Sequence, residues 1–280
     1  MYELIGCPMH LGVSNKGLQQ SINSLNVRYP DLNIKKIDEI IVPEENLKNL
    51  KNLNSVVATC TSIAKETNAI AKRGNIPLFV GGDHASAIGT ISGVANNVKG
   101  LGLIWVDAHS DINTDVSTIS GNIHGMPVSV VMGYGEEKLV NICEIDTKIL
   151  PQNIVLFGVR DMDPLEKDIV ERLNIKVYTY HEVIERGLEV CLKEAKDYLS
   201  NITKLHISFD LDVMNPELIK GVSVPVKDGF NEQEVDHIFD FLLEEFPISS
   251  IDIVEYNPIC DTDLHTAEFT YSLIQKILDK

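Results

Sequence analysis

The chain lacks the features that mark several common classes of protein. Cysteine is scarce and scattered. Cys7, Cys60, Cys143, Cys191 and Cys260 never form a Cys-x-x-Cys pair. That argues against a disulfide framework or a thiolate zinc site and for reduced thiols in a cytosolic protein. Basic residues are outnumbered, with 24 Lys and Arg against 41 Asp and Glu and a net charge of −17. Charge of that sign repels a phosphate backbone, which argues against nucleic acid as a partner. No apolar run approaches the ~20 residues needed to span a bilayer. The start of the chain enters an apolar run without the basic stretch of a signal peptide. No repeat, low-complexity tract or linker interrupts 280 residues that are 44% hydrophobic. These absences predict a soluble, cytoplasmic protein with no membrane partner, built as one domain over residues 1–280.

What is present is an alternation of two patterns. Short, β-branched apolar runs occur at Glu3–Gly6, Lys36–Val42, Ile76–Val80, Gly102–Val106, Asn153–Gly158, Lys176–Thr179, Lys204–Phe209 and Ser250–Val254. Most do not alternate with polar residues, as expected of strands covered on both faces. Helical spacing lies between them at Leu53–Arg73, His84–Asn96, Pro164–Leu173, Glu185–Leu199, Glu232–Glu245 and Thr266–Leu278. The alternation predicts an α/β fold, a three-layer αβα sandwich around a mostly parallel sheet. Such sheets bind ligands at the carboxyl ends of their strands.

Four strand ends carry polar clusters. They are Gly81-Gly82-Asp83-His84, Asp107-Ala108-His109-Ser110-Asp111, Asp210-Leu211-Asp212 and Glu255-Tyr256-Asn257-Pro258. Taken singly, an Asp closing a strand is commonly a helix cap or an Asx-turn. Taken together in a parallel sheet, the clusters put two histidines and, Asp83 aside, five acidic side chains on one rim. That many carboxylates cannot stay ionised side by side without cations, because like charges raise one another's pKa. Residues two apart on an extended segment point the same way, so Asp107-x-His109-x-Asp111 and Asp210-x-Asp212 each present aligned donors. With His84 the set is oxygen and imidazole without thiolate. It suits a pair of divalent ions such as Mn(II), ~3.5–4 Å apart, which would supply hydroxide near neutral pH. Glu255, alone on its strand, could pair with a cationic substrate; a planar guanidinium suits one carboxylate. His124, in the Asp111–Gly125 loop, could pass a proton to a leaving amine. His10, His181, His206, His237 and His265 read as structural or surface residues, and Trp105 as packing.

These motifs, with Ser208-Phe209 leading into Asp210, resemble the signatures of the ureohydrolase superfamily in order, separation and strand placement, over nearly the whole chain. The resemblance implies an arginase-like fold with two Mn(2+) per subunit. His84, Asp107, Asp111 and Asp210 would hold one ion, and His109, Asp107, Asp210 and Asp212 the other. Asp111 would also hydrogen-bond the reactive hydroxide, Glu255 would bind the guanidinium, and His124 would be the proton shuttle.

Within the superfamily the loops resemble those of arginases. Asn113, Ser120 and Asn122 fall where an α-carboxylate is bound, and Asp163 and Glu166 where an α-amino group is recognised; His109 also faces the substrate in this reading. The resemblance therefore implies a hydrolase converting L-arginine to L-ornithine and urea, as a homotrimer or homohexamer. The alternatives are a sister enzyme for agmatine, guanidinobutyrate or N-formimidoylglutamate, or a non-catalytic metal-binding homologue. The chain departs from the pattern at Asn215-Pro216, where the family usually has Asp-Pro. It departs again at Ser223-Val224-Pro225, where arginases usually have Gly-Thr-Pro, and Gly221-Val222-Ser223 is reminiscent of formimidoylglutamases.

Overall fold

The computed structural model describes residues 1–13, 15–43 and 47–280. Eight strands form one parallel sheet: β1 (Tyr2–Cys7), β2 (Lys35–Lys36), β3 (Ile76–Gly81), β4 (Leu101–Val106), β5 (Ile154–Val159), β6 (Lys176–Thr179), β7 (Lys204–Asp210) and β8 (Ile248–Val254). Their spatial order is β2-β1-β3-β8-β7-β4-β5-β6. β4, β5 and β8 are buried at every residue, which explains their unbroken apolar runs.

Helices cover both faces. On one side lie α1 (Ser21–Arg28), α7 (Tyr180–Arg186), α8 (Leu188–Tyr198), α9 (Glu232–Glu245) and α10 (His265–Leu278), packed on Ile104, Ile207, Phe209 and Ile251. On the other, α2 (Leu53–Lys72) and α3 (Ser86–Ala95) lie with α4 (Pro127–Val131), α5 (Glu137–Val140) and α6 (Pro164–Leu173) over Phe79, Leu103, Trp105 and Leu156. The result is the predicted three-layer α/β sandwich. Among the described residues no helix is long and apolar enough to cross a membrane.

Three boundaries differ from the sequence reading. The Lys36–Val42 run is not a full strand. Lys35 and Lys36 pair with β1, and Ile37 donates one further N–H to the Gly6 carbonyl (2.7 Å). Beyond them Ile40 and Val42 donate their N–H groups to Thr59 Oγ1 (2.9 Å) and Ser55 Oγ (3.1 Å) of α2. Hydroxyls on the neighbouring helix thus take the place of a strand ladder. The Glu185–Leu199 helix is two helices, because Gly187 adopts φ 95° between α7 and α8, a region glycine enters without strain. His84 precedes α3 rather than opening it. α1, α4 and α5 were not apparent from the hydrophobic pattern.

Topology positions the site. β7 and β8, late in the chain, insert between β3 and β4. All four run parallel, so their carboxyl ends converge on the crevice where strand order reverses. The turn after β3 is pressed tight. A Cβ built on Gly82 would lie 1.7 Å from the Met9 carbonyl oxygen, whereas one on Gly187 would meet nothing within 4 Å. Gly82→Ala is therefore expected to cost about 1–3 kcal/mol through forced backbone movement, and Gly187→Ala about 1 kcal/mol of dihedral strain. Thermal melts of the two variants check this. A Gly82→Ala melting temperature at or above that of Gly187→Ala would refute the close approach.

Candidate metal centre

The centre is built around His84. Its Nδ1 lies 3.1 Å from Asp107 Oδ2, 3.3 Å from Asp111 Oδ2 and 3.1 Å from Asp210 Oδ2. The atom is fully buried and has no aligned hydrogen bond. Three oxygens surrounding a nitrogen without pointing at it is the arrangement expected when the lone pairs face a shared central cation. A spacing of about 3 Å is the edge of an octahedron with ~2.1 Å bonds, the size of the shell around a small divalent ion. Alongside, His109 Nδ1 stands 3.0 Å from Asp212 Oδ2 and 3.5 Å from Asp107 Oδ1. Among the described residues two groups can hold an ion, His84-Asp107-Asp111 and Asp107-His109-Asp212, with Asp107 common to both. The residues present fit metal ions: imidazole and carboxylate donors, buried, with more negative charge than the protein itself neutralises.

Local structure explains why each donor stands where it does. Asp107 closes β4, accepting from Trp105 Nε1 (2.9 Å) through Oδ2 and from the His109 amide (2.7 Å) through Oδ1. The Trp105 ring also stacks on His84, centroids 3.8 Å apart and 10° from parallel. Trp105, read from sequence as packing, thus orients two of the candidate ligands as well. Asp210 accepts from the Asp212 amide (2.7 Å), turning the chain so that both carboxylates face the crevice. Arg160 clamps that turn, donating to the backbone carbonyls of Asp212 (2.8 Å) and Val213 (3.0 Å). Asp111 and Glu255 hold φ of 47° and 67°. Such conformations cost non-glycine residues about 1–3 kcal/mol and cluster at functional sites.

Electrostatics reflect the crowding. Burial disfavours charge on His84, but Asp107, Asp111 and Asp210 outweigh it and hold its pKa well above the ordinary imidazole range. Burial, then the Asp107 charge, push the Asp111 carboxyl up to about 7. Asp210 is also raised, by burial and then by Asp212 and Asp107. Asp107 itself is lowered: burial opposes ionisation, but His109 and His84 more than compensate.

The centre forms the floor of a cavity of about 180 Å³. Glu255 overlooks it. Its Oε1 accepts from the His84 amide (3.0 Å) and lies 3.4 Å from His124 Nδ1, while its buried Oε2 has no partner among the described residues. His124, Asn113, Ser120, Asp163 and Glu166 line the same cavity, as do Asp161, Met162 and Val224. Neither Met162 nor Gly125 was picked out from the sequence. Asn122 stands apart from this lining, its Oδ1 accepting from Lys51 Nζ (3.1 Å). The Glu166 side chain is already engaged: Oε1 accepts from Ser110 Oγ (2.7 Å) and the Ile112 amide (3.2 Å), and Oε2 from the Asp163 amide (2.9 Å). It fixes Asp163 and the Asp111 loop. Ser223, beside Val224, accepts from Asn257 Nδ2 (3.0 Å). Asn215 caps its own turn through Oδ1 to the Glu217 amide (2.9 Å). His206 is buried within the sheet, as read from its sequence position.

Two measurements follow from this geometry. Trp105→Phe keeps an aromatic ring against His84 but removes the donor to Asp107. Loss of such an orienting bond is expected to weaken divalent-ion binding ~10–100-fold; calorimetric titration showing unchanged affinity would rule out that role. Because Asp111, pushed up to about 7, and His84, held well above the ordinary imidazole range, retain protons near neutral pH without metal, an entering ion must displace them. Apparent affinity should therefore rise with pH through about 7, with proton release detected by titration in buffers of different ionisation enthalpy. A flat profile between roughly pH 6 and 8 would contradict the electrostatics.

Comparison with known proteins agrees with this geometry. The family model described as "Arginase family" matches residues 4–279. The arginase of Bacillus subtilis (strain 168) is 37% identical, over 99% of this chain and 97% of its own. A crystal structure of arginase from Bacillus subtilis superposes with a TM-score of 0.89 at 37% identity, covering 100% of this chain and 98% of that one. The arginase of Entamoeba histolytica, solved in complex with L-ornithine, gives 0.88 at 26% identity, covering 98% of this chain and 96% of that one. With a metal-capable strand-edge cluster, a matching sheet and agreement over nearly its whole length, the chain belongs to the arginase family.

Proposed function

We propose that this chain hydrolyses L-arginine to L-ornithine and urea, using two Mn(2+) ions held by His84, Asp107, His109, Asp111, Asp210 and Asp212. The observation that carries the reading is the unpartnered, buried Glu255 Oε2, which overlooks the metal-capable cluster from across one cavity. When bound, the ions supply Lewis acidity that makes water nucleophilic near neutral pH.

The chain's own residues do the rest. Glu255 receives the guanidinium, its Oε1 already fixed by the His84 amide, so the carboxylate needs no reorganisation to bind a planar cation. Asp111, strained in its loop, hydrogen-bonds the attacking oxygen. His124 turns Nδ1 toward Glu255, leaving Nε2 to give a proton to the departing amine. At the rim, Asn113 and Ser120 bind the α-carboxylate, and Asp163, fixed by Glu166, receives the α-amino group. His109 completes the substrate-facing wall. The L-ornithine in the Entamoeba histolytica relative carries the same two α-substituents.

With this reading go residence in the cytoplasm, a single functional domain over residues 1–280, and assembly as a homotrimer or homohexamer. Light scattering checks the last against a subunit mass of 31.1 kDa. Val224 lines the cavity, and the sister activities remain the comparison to make. The purified protein with Mn(2+) should release urea from arginine in preference to agmatine or guanidinobutyrate, and ammonia from N-formimidoylglutamate only weakly. No urea from arginine under these conditions sinks the proposal. Asn113→Ala and Ser120→Ala should each raise KM for arginine about tenfold, the worth of one hydrogen bond to a charged group. Unchanged arginine kinetics in both would show the carboxylate binds elsewhere.

A further inference from the structure

Below the metal-capable cluster, on the α3 side of the sheet, a column of polar side chains descends into the core. Ser208 and His206 of β7, Asp252 and Ser250 of β8, and Thr90 of α3 are all 0% exposed. Strand register pairs Ser208 with Asp252 and His206 with Ser250. Thr90 Oγ1 donates to Asp252 Oδ2 (2.6 Å). His206 Nε2 lies 3.2 Å from the same oxygen, at ion-pair distance but out of line for a hydrogen bond. Its Nδ1 is 2.6 Å from Ser250 Oγ. A dry interior does not keep such groups unless they are paired.

The column reaches the metal centre at one point, where Ser208 Oγ stands 2.9 Å from His84 Nε2. The direction of that bond follows from proton counting. For Nδ1 to face a cation it must be bare, which puts the ring proton on Nε2, donating to Ser208. The serine proton then needs an acceptor, and no solvent reaches it. Among the described residues the buried side-chain acceptor in this column with no hydrogen-bond partner, Ser208 included, is Asp252 Oδ1, on the paired position of the next strand. The opposite direction, Ser208 donating to Nε2, would place a proton on Nδ1 among three carboxylates, where the cation belongs.

We propose that Asp252 is a positioning residue for His84, acting through Ser208, and that Thr90 and His206 hold Asp252 for that task. The column then runs one way: His84 donates to Ser208, the Ser208 proton is left to turn to Asp252 Oδ1, Thr90 donates to Asp252 Oδ2 with His206 Nε2 facing that oxygen at ion-pair distance, and Ser250 Oγ holds His206 Nδ1. The column selects the His84 tautomer that can bind metal and strengthens its Nδ1 as a donor. This inference rests on the reading of His84 as a metal ligand.

The test is calorimetric titration of the full-length protein with Zn(2+), and separately with Mn(2+). The variants are His84→Ala, Ser208→Ala, Asp252→Asn and the Ser208→Ala/Asp252→Asn pair. His84→Ala identifies which ion His84 holds. Asp252→Asn is expected to weaken that same ion ~10–100-fold and the other by less than about threefold. The double variant should be no worse than the weaker single variant, because both changes break one chain. Nitrogen-15 spectra of histidine-labelled, Zn(2+)-loaded protein should show the His84 proton on Nε2, and a loss of that fixed signature in Asp252→Asn. If Asp252→Asn does not fold, Thr90→Val, which removes a donor from α3, carries the same comparison. Additive losses in the double variant, or equal weakening of both ions, would reduce the column to ordinary core and overturn the proposal. If the wild-type protein binds no ion, or His84→Ala changes nothing, the parent metal reading fails, and this one with it.

Discussion

The constraint on which the structure turns is mutual repulsion among buried carboxylates. Asp107, Asp111, Asp210, Asp212 and Glu255 are each less than a tenth exposed and crowd one strand edge around two imidazoles. Their pKa values diverge: Asp107 is driven down by the histidines while Asp111 and Asp210 are driven up by burial and by their neighbours. Among the described residues no lysine or arginine lines their cavity. A cluster of this kind stores unfavourable energy until cations enter it, and that energy becomes affinity and selectivity for divalent ions.

The rest of the architecture serves to hold these groups together. Parallel strands all end on the same side, so inserting β7 and β8 between β3 and β4 brings Asp210 and Glu255 beside His84 and Asp107 across more than a hundred residues of sequence. A fully buried sheet gives such positions little freedom. Around it, the protein spends rigid contacts where loops alone would be loose. Trp105 both stacks on His84 and donates to Asp107. Arg160 directs its guanidinium entirely at backbone carbonyls, several of them in the Asp212 turn. Glu166 ties Ser110, Ile112 and Asp163 into one unit.

Much of this was legible in the one-dimensional pattern. Unbroken β-branched runs announced strands covered on both faces, and each polar cluster directly after such a run marked a strand end. What escaped were features set by neighbours rather than by local chemistry. The Lys36–Val42 run has strand-like composition, yet hydroxyls on α2 compete successfully for its amides. Glu166 lines the cavity, and its oxygens also accept from Ser110 and the Asp163 amide, bonds that no local pattern announces. Asn122 lies in the right loop but turns to Lys51.

The sequence by itself determined the layer architecture, the donor types and the strand ends that bear them, because apolar periodicity and residue chemistry are local properties written in order along the chain. Tertiary structure alone decided which donors stand close enough to hold one ion, which side chains keep a free oxygen, and how Trp105 and Ser208 meet His84. Those outcomes depend on strand order and on distances of a few ångströms between residues far apart in sequence, and no local pattern encodes either.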